Sequence, residues 1–424
     1  MNTPLRLLVV PPLYGGSLPV ARACVRALAR LGHLVEVFEA PEFHGAYQAL
    51  VGLRVAGDRL EYLQNSFLQV VSQAVLAKVE SFAPDLVLAL AQAPLSRQAL
   101  KRLKKDGVPT AMWFVEDHRV FTYWQAYAPL YDVFAVIQKE PFLTQLAAIG
   151  QENAVYLPMA ADPEVHRPLD LSPAERRTWG AAVSFMGAGY PNRRLAFRHL
   201  LGYGLRIWGT EWEGDPALAP HVQMAGRRLS TEECVAVFNA TDVNLNLHSS
   251  VSARDLVPAG DFVNPRTFEL AACGAFQLVD RRELLPGLFA EGELATFGSM
   301  EELKALLEHY LAHPEERRAL AARARSRVLA EHSYERRMSD LLSFVAGRLP
   351  GWPRPRASEA ALSVLPEDLR AEAAALLDRL GLTATAAFDD LVTRLRQEQG
   401  VLSELETAIL FLDEWRKQYG LAGS

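Results

Sequence analysis

The chain has 424 residues, half of them hydrophobic and 22% charged, with a formal net charge of -6. That size and apolar content suit two or three packed domains, and the acidic balance leaves no footprint for a nucleic-acid partner. Three widely spaced cysteines (Cys24, Cys234, Cys273) fit a reducing cytoplasm and no zinc site, and no apolar run reaches the roughly 18 residues of a membrane span.

In chain order, "LRLLVV" reads as a first strand that Pro-Pro ends, too short an apolar run for a signal peptide. A glycine turn with Gly15 and Gly16 follows, then the helix "LPVARACVRALARLG". Its apolar stripe is Cys24, Ala27, Leu28 and Leu31, its solvated face Arg22, Arg26 and Arg30. "LVEVFEA", "DLVLALAQ", "PTAMWFVED" and "DVFAVIQ" read as further strands, with helices at "SRQALKRLKKDG" and "PFLTQLAAIG". Alternating strands and helices predict a parallel sheet covered on both faces. The Pro-rich stretch around 160–178 reads as a linker between domains 1–165 and 178–347.

The second half repeats the pattern. "AAVSFMG", "LRIWG" and "VNLNLH" read as strands, and "STEECVAVFNATD" as a helix capped by Ser230 or Thr231. In "NPRTFELAACGAFQLVD", Asn264 is a fitting N-cap, Pro265 suits the first helical position and Gly274 a left-handed stop. The helix start is a ready anion site, with Arg266 adding charge and Glu269 one turn on. The plainer reading of Arg266 and Glu269 is an i, i+3 ion pair. Residues 300–349 read as nearly continuous helix. Beyond "PGWPRPR", residues 357–424 carry three helical patterns ending at Gly381, Gly400 and Gly420. The stripe Phe388, Leu391, Val392, Leu395 and the near-heptad Leu402, Leu405, Ile409, Leu412 predict a docked helical bundle or a surface for homo-oligomers.

Ligands of doubly wound sheets bind at the carboxyl ends of strands, and the chemistry-bearing residues fall there. Gly16 permits close backbone approach. Glu116, Asp117 and His118 follow a strand and offer a base or hydroxyl-binding groups. Gly187 and Gly189, with Arg193 and Arg194, suit a diphosphate. Asn246 and His248 end a strand beside the Asn264 helix. No G-x-x-x-x-G-K-[ST] and no Asp-x-Asp occurs, so phosphate charge falls to arginines and helix ends. The missing G-x-G-x-x-G disfavours an NAD-linked oxidoreductase.

The runs "VNLNLHSS…GDFVNPRTFELAACGAFQLVDRRELLPGLFAEGE" and "YLAHPEERRALAARARSRVLAEHSYERRM" resemble the CgeB-like (spore maturation type) glycosyltransferases over roughly 180–345. The N-terminal "PPLYGGSLPVARACVRALARLGHLVEVF" looks like the matching part of two-Rossmann (GT-B) nucleotide-sugar transferases. The resemblance implies an α/β fold of two facing doubly wound domains, with a helical extension, no resident cofactor and no metal. It implies a sugar donor held mainly by the second domain and an acceptor that is a protein or surface glycan. Related retaining enzymes carry two glutamates separated by seven residues; Glu269 matches the second, and Asp261, a shorter carboxylate, stands at the first. Arg266, Asn264, Thr267 and the helix start would hold the diphosphate, Glu269 the ribose. Glu116, Asp117 or His118 would face the acceptor and supply a base if configuration inverts. A nucleotide-sugar epimerase or hydrolase, or a non-catalytic binding protein of the same fold, are the rival readings.

Overall fold

The computed structural model describes residues 4–354, 362, 365, 367–398 and 400–419. The first domain runs β1 (Arg6–Val10), α1 (Ser17–Arg30), β2 (Leu34–Val37), α2 (His44–Val51), α3 (Gly57–Phe82), β3 (Leu86–Leu90), α4 (Arg97–Asp106), β4 (Thr110–Phe114), α5 (Trp124–Tyr127), β5 (Val133–Val136), α6 (Phe142–Ala148) and β6 (Ala154–Tyr156). All six strands are parallel, in the order β2-β1-β3-β4-β5-β6. β1, β3, β4 and β5 are buried at every residue, as apolar runs covered on both faces should be. The order reverses between β1 and β3, which opens a crevice at their carboxyl ends.

The second domain comprises α7 (Pro173–Trp179), β7 (Ala181–Met186), α8 (Pro191–Arg198), β8 (Leu205–Trp208), α9 (Thr231–Ala240), β9 (Thr241–Asn246), α10 (Pro265–Ala272), β10 (Gln277–Asp280), β11 (Ala295–Phe297), α11 (Met300–Ala312), α12 (Pro314–Glu331) and α13 (Tyr334–Arg348). Its five parallel strands order β11-β10-β9-β7-β8 and reverse between β7 and β9. The cap residues act as read: Ser230, not Thr231, closes a capping box with Glu233, and Asn264 accepts from the Thr267 N–H at 3.1 Å.

Three features depart from the chain-order reading. α2 and α3 fill 44–82, a stretch to which it assigns no element, and only the C-terminal half of α3 is buried. The linker stretch is not bare coil: it follows strand β6 and holds α7, capped by Ser172, at its end. α13, read with the second domain, packs on α1 of the first, and its residues share one apolar core with both domains, including Cys24, Leu28, Phe268, Met338 and Leu341. The linker is zipped to the start of α13: the Ala161 N–H donates to His332 O, and Tyr334 N–H to Ala161 O, at 3.0 and 3.1 Å.

The tail forms α14 (Arg370–Arg379), α15 (Phe388–Gln397) and α16 (Glu404–Tyr419) around a small core of their own. Phe388, Leu391, Val392 and Leu395 are buried there; of the near-heptad stripe, Leu405 and Ile409 are buried and Leu402 and Leu412 are not. Gly420 lies outside the described residues.

Candidate active site

The carboxyl ends of the two sheets face one another, and the residues that join them are polar. Gln138, just past β5, is the central link. Its Nε2 donates to both carboxylate oxygens of Asp261 across the cleft, at 2.9 and 3.1 Å, and to Asp117 at 3.2 Å. Its Oε1 accepts the backbone N–H of His118 at 2.9 Å and faces His118 Nδ1 at 3.0 Å. A reversed amide would set its oxygen against two carboxylates, so this orientation is forced. Arg119 binds Asp117 with two nitrogens, each at 3.0 Å, and reaches Asp261 at 3.2 Å. Asp261 therefore sits clamped between domains.

This arrangement redistributes the Glu116–Asp117–His118 trio. His118, a candidate base in the sequence, is buried: its ring stacks on Phe142 at 4.3 Å and its Nδ1 serves Gln138. Asp117 is committed to Arg119 and Gln138; burial opposes its ionisation, but those partners hold its carboxyl below the usual range. Glu116 differs. It accepts from Gln92 Nε2 at 2.5 Å and Tyr123 OH at 2.8 Å, yet burial dominates and pushes its carboxyl up. Of the three it is the one poised to take a proton.

On the other side, the polar residues at the end of β9 build the start of α10. Asn246 Nδ2 donates to Thr267 Oγ1 and Gln277 Oε1, at 2.9 and 3.0 Å, and its Oδ1 accepts from Asn264 Nδ2 at 2.8 Å. The Asn264 N–H donates to His248 Nε2 at 2.9 Å, so the His248 proton is on Nδ1, 2.6 Å from Asp280 Oδ1. Burial lowers the His248 pKa, in keeping with a neutral ring. Asn246, His248 and Thr267 are buried. Their hydrogen bonds brace the start of α10, and Asn264 caps the helix.

The arginines divide likewise. Arg193 is 9% exposed and gives Nε and Nη2 to Leu247 O and Nη1 to Ala188 O, its face against Phe185 and Tyr190. Burial pushes its pKa down to about 10. It pins the Gly187 turn to β9. Gly187 itself donates its N–H to Trp208 O, at φ 156°. Arg194 donates to the carbonyls of Glu211 and Glu213. Arg266 pairs with Glu269 Oε2 at 2.6 Å while its guanidinium covers Phe238 at 4.6 Å. The ion pair is thus present, and His166 of the linker faces Glu269 Oε1 at 3.9 Å.

Sequence reasoning missed Gln138, Arg119, His166 and Arg228. Arg228 is exposed, just before α9, and its Nη2 reaches across to Gly15 O at 3.1 Å. The only sequence signal for it is its place in "GRRLS", ahead of a capped helix. Gly16 is the N-cap of α1, which has no side-chain cap and no acid in its first turn. No Cys/His spacing in the sequence announces a metal, and among the described residues one trio converges: His309, His313 and Glu316, ligand atoms within 4.8 Å. It is exposed on the α11–α12 corner. The neighbouring Arg317 binds Asp242 at the amino end of β9, opposite the cleft.

Two facing parallel sheets, each with a switch-point crevice opening onto one interdomain cleft, define a GT-B protein. Residues 193–343 match the glycosyl transferase-like family model. The spore protein CgeB of Bacillus subtilis (strain 168) is 26% identical over 257 residues, 58% of this chain and 78% of that relative. The fold is similar to sucrose-phosphate synthase from Thermosynechococcus elongatus at 13% identity and TM-score 0.56, covering 82% of this chain and 99% of that one. Anabaena Alr3699/HepE in complex with UDP and glucose aligns at 12% identity and TM-score 0.55, over 81% of this chain and 100% of that one. Residues 193–343 are thus similar to glycosyl transferases, and the chain resembles the spore protein CgeB over 58% of its length. Among the described residues no helix is long and apolar enough to cross a membrane.

Proposed function

We propose that the donor diphosphate lies between the Gly15–Gly16 turn and α10, held by Arg228, Arg266 and the uncapped start of α1. The observation that carries this reading is Arg228 of the second domain bonded to Gly15 O at the head of α1, which sets a cation beside the positive end of a helix that has no side-chain cap and no acid in its first turn. Glu269 takes the ribose hydroxyls. These groups act without a metal, neutralising charge on the leaving diphosphate. UDP-glucose, present in a complex of the similar Anabaena protein, is the first candidate donor.

We also propose transfer with retention. The acceptor oxygen bonds to the anomeric carbon as its bond to the diphosphate oxygen breaks. The acceptor proton passes to that departing oxygen, with Asp261 toward the sugar. The carboxylate pair Asp261 and Glu269 supports this reading. Proton NMR of the product's anomeric configuration tests it: an inverted linkage would transfer the base role to Glu116.

The experiment for the donor is thermal unfolding with UDP, GDP, dTDP and CMP, with magnesium and with chelator. A saturating diphosphate, at 100 times its dissociation constant, adds about 2.7 kcal/mol. A shift with one nucleoside diphosphate, unchanged by chelation and abolished in Arg228→Ala with Arg266→Ala, is the expected result. A magnesium-dependent shift would overturn the metal-free reading.

A further inference from the structure

A cavity of about 300 Å³ opens at the β1/β3 switch point of the first domain. Its walls are Leu13 and Tyr14 after β1, Gln92 and Pro94 after β3, and one side each of α2 and α3. The volume is at the small end of the range for small-molecule sites. None of the lining residues bears a formal charge. Three rings, Tyr14, Tyr47 and Phe67, stand beside three amides, Gln64, Asn65 and Gln92. Tyr47 and Phe67 lie 6.1 Å apart at 43°, and Gln64 Nε2 donates to Tyr47 OH at 3.0 Å.

The cavity is tied to the cleft at two points. Gln92 stands in the left-handed region, at φ 64°, which strains a residue other than glycine and which its surroundings must hold in place. Tyr123 OH accepts its backbone N–H at 3.0 Å, and its side chain donates to Glu116. Tyr14, 48% exposed at the mouth, precedes Gly15, the residue that Arg228 reaches from the other domain.

We infer that this cavity is the acceptor subsite and that it takes a neutral carbohydrate. The inference deepens the transferase reading above and rests on it. A sugar presents apolar C–H faces and a rim of hydroxyls. The rings supply flat apolar platforms with negative faces, and the amides supply paired donors and acceptors. The lining supplies no cation for a phosphorylated or carboxylated acceptor and no carboxylate for a basic peptide. Glu116, linked through Gln92, is placed to bond the hydroxyl that is glycosylated.

Saturation-transfer NMR and titration calorimetry on the full chain test this, with methyl β-D-glucoside, cellobiose, maltotriose, glucose 6-phosphate and a neutral serine peptide as probes. Variants are Tyr47→Ala and the milder Gln64→Leu, with Tyr62→Ala, 68% exposed and outside the lining, as control. A neutral glycoside should bind wild type and the control alike, and about fivefold or more weakly in Gln64→Leu. Binding of glucose 6-phosphate or the peptide in place of the glycosides overturns the inference, as does glycoside binding unchanged in both cavity variants. UDP is titrated in the same samples. UDP binding without any glycoside binding refutes the cavity alone; glycoside binding lost in the variants without UDP binding refutes the donor reading alone.

Discussion

Asp280 shows how single residues in this protein are held by their neighbours. It is buried with His248 and Arg282: Oδ1 takes both the ring Nδ1–H and the backbone N–H of His248, and Oδ2 takes Arg282 Nη1 at 3.1 Å. Burial opposes its ionisation, but those donors and the Arg282 charge keep its carboxyl below the usual range. A depressed carboxyl adds stability at neutral pH that is lost as pH falls through its folded value. Asp280→Asn should therefore cost about 3–5 kcal/mol at neutral pH by leaving Arg282 without its countercharge. In urea unfolding, the gap to wild type should narrow as pH falls below about 4, the ordinary aspartate value. Glu116 carries the opposite sign. Its raised carboxyl means ionisation weakens the fold as pH rises above the ordinary glutamate range, so Glu116→Gln should be neutral or stabilising in the same assay at neutral pH. These roles were not legible in the sequence. A polar residue at a strand end looks the same whatever it bonds, and the bonds of Asn246, His248 and Thr267 to one another's neighbours around the start of α10 appear only in the folded chain.

At the scale of elements, α10 was the most readable part of the chain. Asn264, Pro265 and Gly274 mark its ends by local backbone chemistry alone, and the structure has Asn264 as cap and Gly274 at φ 65°. Asn264→Ala should cost about 0.5–2 kcal/mol of stability. It also removes a partner of Asn246, so UDP affinity should fall along with the melting temperature. A variant with lowered stability but intact affinity would show that the cap serves only the fold. α2 and α3 were the least readable elements. Much of their surface is solvated in this chain, and no periodic apolar stripe marks the N-terminal half of α3, whose burial begins only at Val71. The cavity they wall was invisible for the same reason.

Across the whole molecule, two domains and a helical tail were legible from strand-helix alternation and from the Pro-rich breaks. The contacts between domains were not, because Gln138, Arg119 and Arg228 meet partners more than 100 residues away in the chain. Gln138→Glu should open the cleft. It sets a third carboxylate against Asp117 and Asp261, a like-charge contact that costs several kcal/mol. Small-angle scattering should record a larger radius, while Gln138→Met, which adds no charge, should open it less. Equal radii in wild type and the Glu variant would mean that the apolar core shared by both domains, not the polar latch, sets the closure.

The position of α15 bears on how the protein is made. β2 is an edge strand of the first sheet, and α15 lies against it, with Gln397 Nε2 donating to Val35 O at 2.6 Å. An uncovered edge is a template for pairing with another chain. On the ribosome, where about 5–20 residues are added per second, β2 emerges among the first elements and its cover among the last. The nascent chain thus carries an open edge for nearly its whole synthesis. Premature termination before α15 should yield products that associate with one another, even though both sheet domains are complete.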